Sequence, residues 1–424
     1  MNTLDEEMTV FSDGVADEQD VANRNINFSE TELDNDPHGC IFEIRKETNV
    51  WRRSVLAMGR EIGIYNVISH ELCQSLLANK DCQQFYTQLL MGRGVPVGPL
   101  QNLFANGMPT VDGPLHRRRR KPLSHPFGKP NIMSFQPKVR DFVRRELKTY
   151  LGQGTMNVAT EFAKSAPPRL LCEIIGIPNS EQERFVELAR LAALGLTLFP
   201  IEQLDEIDAA SAELMDYVEQ LLGRPPGERG TFLNVYLATA EAIEPPLSDD
   251  EIRVQLIDLL LASAETTRMT MTNAVSLLLS HPEQWEALKR NRDLVSGAVN
   301  ETLRFQPSIG TCPRFAAKDI WVGDHFIPCG SIVSASLLGA LRDPTKFAEP
   351  DRFNIQRTDF QRKHLAFGGG AHRCLGESLA WFEVYETIDA LADMAPNMSL
   401  VGDPVICTGF SGMRRVTDCY INLS

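Results

Sequence analysis

The ten residues from Phe367 to Gly376 read Phe-Gly-Gly-Gly-Ala-His-Arg-Cys-Leu-Gly, and they constrain the fold more than any other stretch of the chain. Glycines permit positive φ and close backbone approach, so this segment is a tight turn and neither strand nor helix. Backbone N–H groups in such a turn can converge on the sulfur of Cys374 and stabilise its thiolate. Glu377 to Tyr385 then reads as the start of a helix, whose N-terminal dipole acts in the same direction. Phe367 is placed to keep water off the sulfur. Such a turn can hold one thiolate, although a cysteine in a Gly-rich loop is more often an inert thiol.

The rest of the chain reads as helix-dominated. Ser180 to Leu196, Ile207 to Leu222, Asp249 to Leu279 and Pro282 to Phe305 repeat apolar residues at helical spacing. Strand character is confined to short pieces: Ile320-Trp321-Val322 and His325-Phe326-Ile327 flank the turn Gly323-Asp324, and Ile332-Val333-Ser334 extends the pattern. With 424 residues, 43% of them hydrophobic, the chain can bury a large core, and no Gly/Ser-rich or Pro-rich linker divides it after residue 40. The expected architecture is mainly α with a small β region, in a single large domain over 39–424. Residues 1–38 are acidic and polar and are expected to lack fixed structure in part.

Charge and cysteine usage exclude several classes. The net charge of −14 disfavours nucleic acid as a partner. The run His116-Arg117-Arg118-Arg119-Arg120-Lys121 is a local exception that, read alone, could be a nucleic-acid patch or localisation signal, a solvated helix face, or a site that binds carboxylates and docks a partner. Nine scattered cysteines without a CxxC pair point to a reducing cytoplasm rather than a disulfide scaffold. The first basic residue is Arg24, after seven acidic ones, and no apolar span of bilayer length occurs. Neither export nor a membrane anchor is expected.

At its glycine-dense loop the chain resembles the cytochrome P450 family, whose haem loop reads Phe-Gly-x-Gly-x-His-x-Cys-x-Gly. Phe367, Gly368, Gly370, His372, Cys374 and Gly376 occupy every fixed position. The resemblance spans about residues 40–424 and implies the family's helical fold, one haem b per chain and Cys374 as the iron ligand. It also implies that His116 and Arg120, four apart on one helix face, hold haem carboxylates together with Arg314 and His372. Phe367 and Gly376 complete the cofactor contacts.

Two further motifs fit the resemblance. Ala262-Ser263-Ala264-Glu265-Thr266-Thr267 sets an acid and two hydroxyls in mid-helix, a local conflict that chains retain mainly at functional sites. By resemblance, Thr266 would hydrogen-bond dioxygen and Glu265 would relay protons to it. The family's usual glycine is Ser263 here; its side chain could narrow the groove, add a hydrogen bond or shape the pocket. Glu301-Thr302-Leu303-Arg304 matches the family's ExxR, and Arg352 in Pro350-Asp351-Arg352-Phe353 fits the arginine that completes a structural ion-pair triad.

The resemblance implies a monooxygenase that takes two electrons from a redox partner. No flavin or nicotinamide fingerprint is visible, so electrons would come from a ferredoxin served by an NAD(P)H reductase. Arg117, Arg118, Arg119, Lys121, Arg362, Lys363 and Arg373 would form its basic docking surface. Candidate pocket residues are Phe104, Met108, Leu198, Leu261, Ala264, Ile309 and Phe410, with Leu194, Phe199, Leu260 and Thr311 beside them. Their apolar character suggests an apolar or weakly polar small organic substrate, terpenoid or aromatic, although each could equally be core. Arg268 could point either way. A peroxygenase, a desaturase or an oxidative coupling enzyme on the same fold is the alternative; the Glu265-Thr266 pair favours dioxygen.

Overall fold

The computed structural model of the chain describes residues 26–57, 60–196, 200–359 and 364–423. Its axis is the 32-residue helix Asp249–Ser280, about 48 Å long at the standard rise. A capping box starts it: the Glu251 N–H donates to Ser248 Oγ at 3.2 Å, and the Ser248 N–H donates to Glu251 Oε2 at 3.0 Å. Val254, Ile257, Leu260, Met271 and Val275 are all buried, so apolar residues cover most of its circumference and the helix runs through the core. Ala163–Ile175, Leu294–Phe305 and Glu377–Met394 pack around it.

Glu251 also joins two helices. Its Oε1 accepts from Arg119 Nε at 3.0 Å and from Arg118, both on the basic helix Gly113–Ser124. Burial opposes ionisation of this carboxyl, but the Ser248 N–H and the two guanidiniums outweigh it and hold the pKa at about 2. A depressed carboxyl stabilises the fold above its unfolded pKa and loses that contribution as pH falls through the folded value. Glu251→Gln is therefore expected to cost about 3 kcal/mol at pH 7, with the deficit shrinking between about pH 4.5 and 2. Urea midpoints measured across that range check it; a pH-independent deficit would contradict the assignment.

The β region is small. A five-stranded sheet runs in the spatial order Val50–Ala57, Arg60–Val67, Ile332–Ser336, Thr311–Ala316, Cys82–Gln83. Only the central Arg60–Val67/Ile332–Ser336 pair is parallel. Ile320–Val322 and His325–Ile327 form the expected hairpin, with Gly323 at φ +58° in its turn. Thr311–Ala316 carries Arg314 to the wall of the central cavity.

One helix differs from its reading. Pro282 to Phe305 is broken into Pro282–Arg290 and Leu294–Phe305. Asn291 leaves the helix at φ −134°, and its side chain accepts the Asp293 N–H at 3.1 Å. That local bond competes with the helical ladder. Of the acidic segment, residues 1–25 lie outside the described residues, while Glu30–Asn35 is a capped helix whose Leu33 is buried with Ile41, Trp51 and Phe410. No helix among the described residues is long and apolar enough to cross a membrane.

Candidate functional site

The Phe367–Gly376 loop lines a cavity of about 400 Å³ between the long helix and the helix Glu377–Met394. Gly370 sits at φ +63°, and a Cβ there would lie 1.9 Å from the Leu77 carbonyl oxygen. Only glycine permits that approach, which seats the loop on the helix His70–Ala78. The Cys374 N–H donates to the Phe367 carbonyl at 2.9 Å, closing the turn. The thiol is exposed only in the sense that it opens into the cavity, since protein surrounds the loop. Burial, and then the Glu377 carboxylate, push its pKa up; the Gly376 N–H, Arg120 and Arg373 offset this only in part. The N–H at the sulfur expected from the sequence is thus present at Gly376. Phe367 lines the same cavity.

His116, Arg120, Arg314 and His372 all line this cavity as well. The His116 and His372 rings stand 4.2 Å apart. His372 Nε2 contacts Asp112 Oδ1 at 2.8 Å, and Asp112 Oδ2 accepts the Gln84 N–H at 2.7 Å. Arg120 donates to the Arg373 carbonyl at 2.6 Å, and Arg314 to the carbonyl of its own neighbour Pro313 at 2.7 Å. Burial, then the neighbouring His372 and Arg120, hold the His116 imidazole down at about 4. Its Nε2 is buried without a hydrogen-bond partner. An orphaned imidazole nitrogen beside two arginines fits the carboxylate edge of a haem.

On the long helix, Ala262, Ser263, Thr266, Thr267 and Thr270 line the cavity. Thr266 Oγ1 donates to the Ala262 carbonyl at 3.1 Å and Ser263 Oγ to the Leu260 carbonyl at 2.9 Å, so both hydroxyls bond back onto their own helix. Ser263 thus adds a hydrogen bond and also shapes the wall. Glu265 does not reach the cavity: its carboxylate pairs with Arg268, at 2.9 Å from Nε and 2.7 Å from NH2, and is one-third exposed. One residue's difference is a rotation of about 100° around a helix, which carries neighbours to different faces.

The ion-pair triad is present with a different third member. Glu301 and Arg304 are completely buried and meet at 2.7 and 2.8 Å. Arg357, not Arg352, completes the group, with Nε 3.2 Å from Glu301 Oε2. Arg352 points outward to Glu349 and contributes only its carbonyl, which accepts from Arg304 and Arg357. It occupies a surface turn, where the buried neighbour Phe353 takes the inward position.

Several assignments are corrected by the packing. Met108 and Ile309 line the cavity, whereas Phe104, Leu261, Ala264 and Phe410 do not. Phe104 packs toward Gly195. Phe410 is core between Trp51, at 6.3 Å ring to ring, and the Arg53 guanidinium, at 5.2 Å. Leu198 and Phe199, and the docking residues Arg362 and Lys363, lie outside the described residues. Arg118 and Arg119 are tied to Glu251, and Arg373 to Glu377 at 2.6 Å, so Arg117 and Lys121 are the exposed cations of the basic helix. The sequence reading missed Asp112, Gln255, Asp258, Arg357 and Glu383. Asp112 stands directly before the Gly113-Pro114 helix start, a position that favours aspartate. Buried Glu383 lines the cavity, and burial raises its carboxyl well above the usual range.

Comparison with known proteins agrees with this geometry. The family model described as Cytochrome P450 matches residues 199–387. The plant-inducible Cytochrome P450-pinF1 of Rhizobium radiobacter is 32% identical over 92% of this chain and 91% of its own length. The 6-deoxyerythronolide B hydroxylase of Saccharopolyspora erythraea is 30% identical over 71% of this chain and 73% of its own. Among solved structures, P450BioI in complex with a hexadec-9Z-enoic acid-ligated acyl carrier protein superposes with a TM-score of 0.82, at 26% identity, covering 93% of this chain and all of that one. A likeness running through nearly the whole chain, together with a cysteine loop beside a rim suited to propionates, has one meaning: the chain belongs to the cytochrome P450 family, a haem b monooxygenase.

Proposed function

We propose that this enzyme hydroxylates an apolar or weakly polar small organic molecule, using dioxygen and electrons delivered by a ferredoxin in the cytoplasm. The observation that carries the reading is the joint presence of Cys374 and Thr266 on one largely apolar cavity. Haem held there supplies the dioxygen chemistry, which a thiolate ligand promotes by donating electron density. Cys374 would hold the iron; His116, Arg120 and Arg314 would bind the carboxylates, and Phe367 would exclude water from the sulfur. Thr266 Oγ1, bonded at rest to the Ala262 carbonyl, orients dioxygen by a hydrogen bond. Glu265, one-third exposed beside it, takes protons from solvent and passes them inward. A ferredoxin docks where Arg117 and Lys121 are exposed, on the helix whose Arg120 holds the cysteine loop at Arg373. The apolar walls at Met108, Leu123, Phe127 and Leu171 favour a terpenoid or aromatic body.

Thr266→Ala tests the assignment. Substrate-induced spin-state shifts should persist with unchanged affinity, while product formed per NAD(P)H falls roughly tenfold or more and hydrogen peroxide accumulates. Undiminished coupling would refute the role given to Thr266, and equal turnover driven by peroxide alone would favour a peroxygenase.

A further inference from the structure

The cavity wall carries one polar pair that neither the cofactor rim nor the Thr266 region uses. Gln255 is completely buried, lines the cavity, and has no hydrogen-bond partner for either its amide nitrogen or its amide oxygen. Asp258 lies one turn further along and also lines the cavity. Its Oδ2 accepts the Met108 N–H at 3.0 Å. The Tyr236 hydroxyl, which feels the Asp258 charge, has no hydrogen-bond partner and so leaves the carboxylate unclaimed. Arg119 is committed to Glu251 and Asn106. A fully buried amide with both ends unsatisfied is costly unless something else bonds it.

We infer that Asp258 and Gln255 form a substrate anchor for a protonated amine carried on an apolar body. An ammonium has donors for both the Asp258 carboxylate and the Gln255 carbonyl oxygen, and it neutralises a charge that would otherwise face an apolar wall. A substrate carboxylate would meet repulsion at the same place. Asp258 and Thr266 are eight residues apart, about 12 Å along the helix. The anchored nitrogen is thus held well away from the oxidised carbon, and this distance selects the position of attack. Burial lifts the Asp258 carboxyl to about 7, against the pull of the Met108 N–H and Arg119; a bound cation would restore its charge. The inference rests on the monooxygenase reading above and narrows its substrate class.

The test uses holoenzyme and two probes of one shape, protonated N,N-dimethyloctylamine and 2-methyldecane. Binding is followed by the low-spin to high-spin shift and, independently, by titration calorimetry. Wild type should bind the amine more tightly than the hydrocarbon. Asp258→Asn, which keeps an oxygen for the Met108 N–H, should lose roughly tenfold to hundredfold in amine affinity and leave hydrocarbon affinity unchanged. Gln255→Leu should shift the preference in the same direction by a smaller factor. Equal amine affinity in wild type and Asp258→Asn overturns the anchor, as does a spectrum showing the amine nitrogen ligating iron in place of a spin shift. Absence of a thiolate-haem spectrum in wild type would instead overturn the underlying reading, so the two failures are distinguishable.

Discussion

Replacing Cys374 with alanine should leave a folded protein that no longer gives the ferrous carbon-monoxide spectrum of a thiolate-ligated haem. Turnover should fall by at least about a thousandfold, close to 4 kcal/mol of barrier. Cys374 is the cysteine that lies in the glycine turn, opens into the cavity and has the Gly376 N–H, Arg120 and Arg373 lowering the pKa of its thiol. Burial still pushes this thiol up, so the cavity-facing position in the turn is what marks this sulfur out. Cys73, Cys172 and Cys419 have thiols pushed up mainly by burial too, but they are buried in the core and do not line the cavity. The surface control Cys329→Ala should retain the wild-type spectrum. A thiolate spectrum surviving in Cys374→Ala would mean that another cysteine holds the iron.

The second large effect concerns stability. Glu301→Gln leaves two guanidiniums, Arg304 and Arg357, beside a neutral amide in a dry interior. Breaking a buried ion pair on one side costs roughly 3–5 kcal/mol, or about 5 °C in melting temperature for a domain of this size. The loss spreads beyond the pair. Glu301 Oε1 also accepts the Asn354 N–H at 2.8 Å, and Arg304 donates to the Leu341 carbonyl at 3.0 Å and the Pro350 carbonyl at 2.7 Å. These bonds hold the irregular segment around 350–359 that leads toward the cysteine loop. Arg357→Gln should therefore resemble Glu301→Gln in thermal melts and also weaken haem retention. Arg352→Gln removes only an exposed pair with Glu349 and should change stability by less than about 0.5 kcal/mol. An Arg352 effect as large as that of Arg357 would contradict the triad drawn from the structure.

Legibility followed the range of the interactions. The cysteine loop, the mid-helix hydroxyls and the Glu301–Arg304 pair were readable because their geometry is set within ten residues by glycine conformations or helical spacing. Arg352 fitted the family's arginine by its place in the chain, but it and Arg357 both lie in irregular chain, where no period says which side chain turns inward. The contact of His372 with Asp112 spans 260 positions, which no local pattern encodes. Phe104, Leu261 and Phe410 are apolar like true wall residues, and hydrophobicity alone does not separate core from cavity. Asp258 is the converse case. It shares a helical stripe with Ala262 and Thr266, yet the adjacent Glu265 resembled the family motif and drew the assignment.

Asp34 and the loop around Phe410 carry a consequence for how the molecule opens. The Asp34 carboxylate accepts the Phe410 N–H at 3.1 Å and pairs with Arg415 at 2.9 Å, while its carbonyl accepts the Gly409 N–H at 2.8 Å. The Phe410 contact alone bridges 376 positions and the Arg415 pair 381, so they join the two ends of the described chain like a buckle. Closing so long a ring gains nothing until the intervening helices are in place, and its entropic toll therefore falls late in folding. The same buckle lies at the periphery, on partly exposed side chains, where local opening needs the least energy. Unfastening is expected to begin there, and hydrogen exchange at Gly409 and Phe410 should outpace that of the long helix.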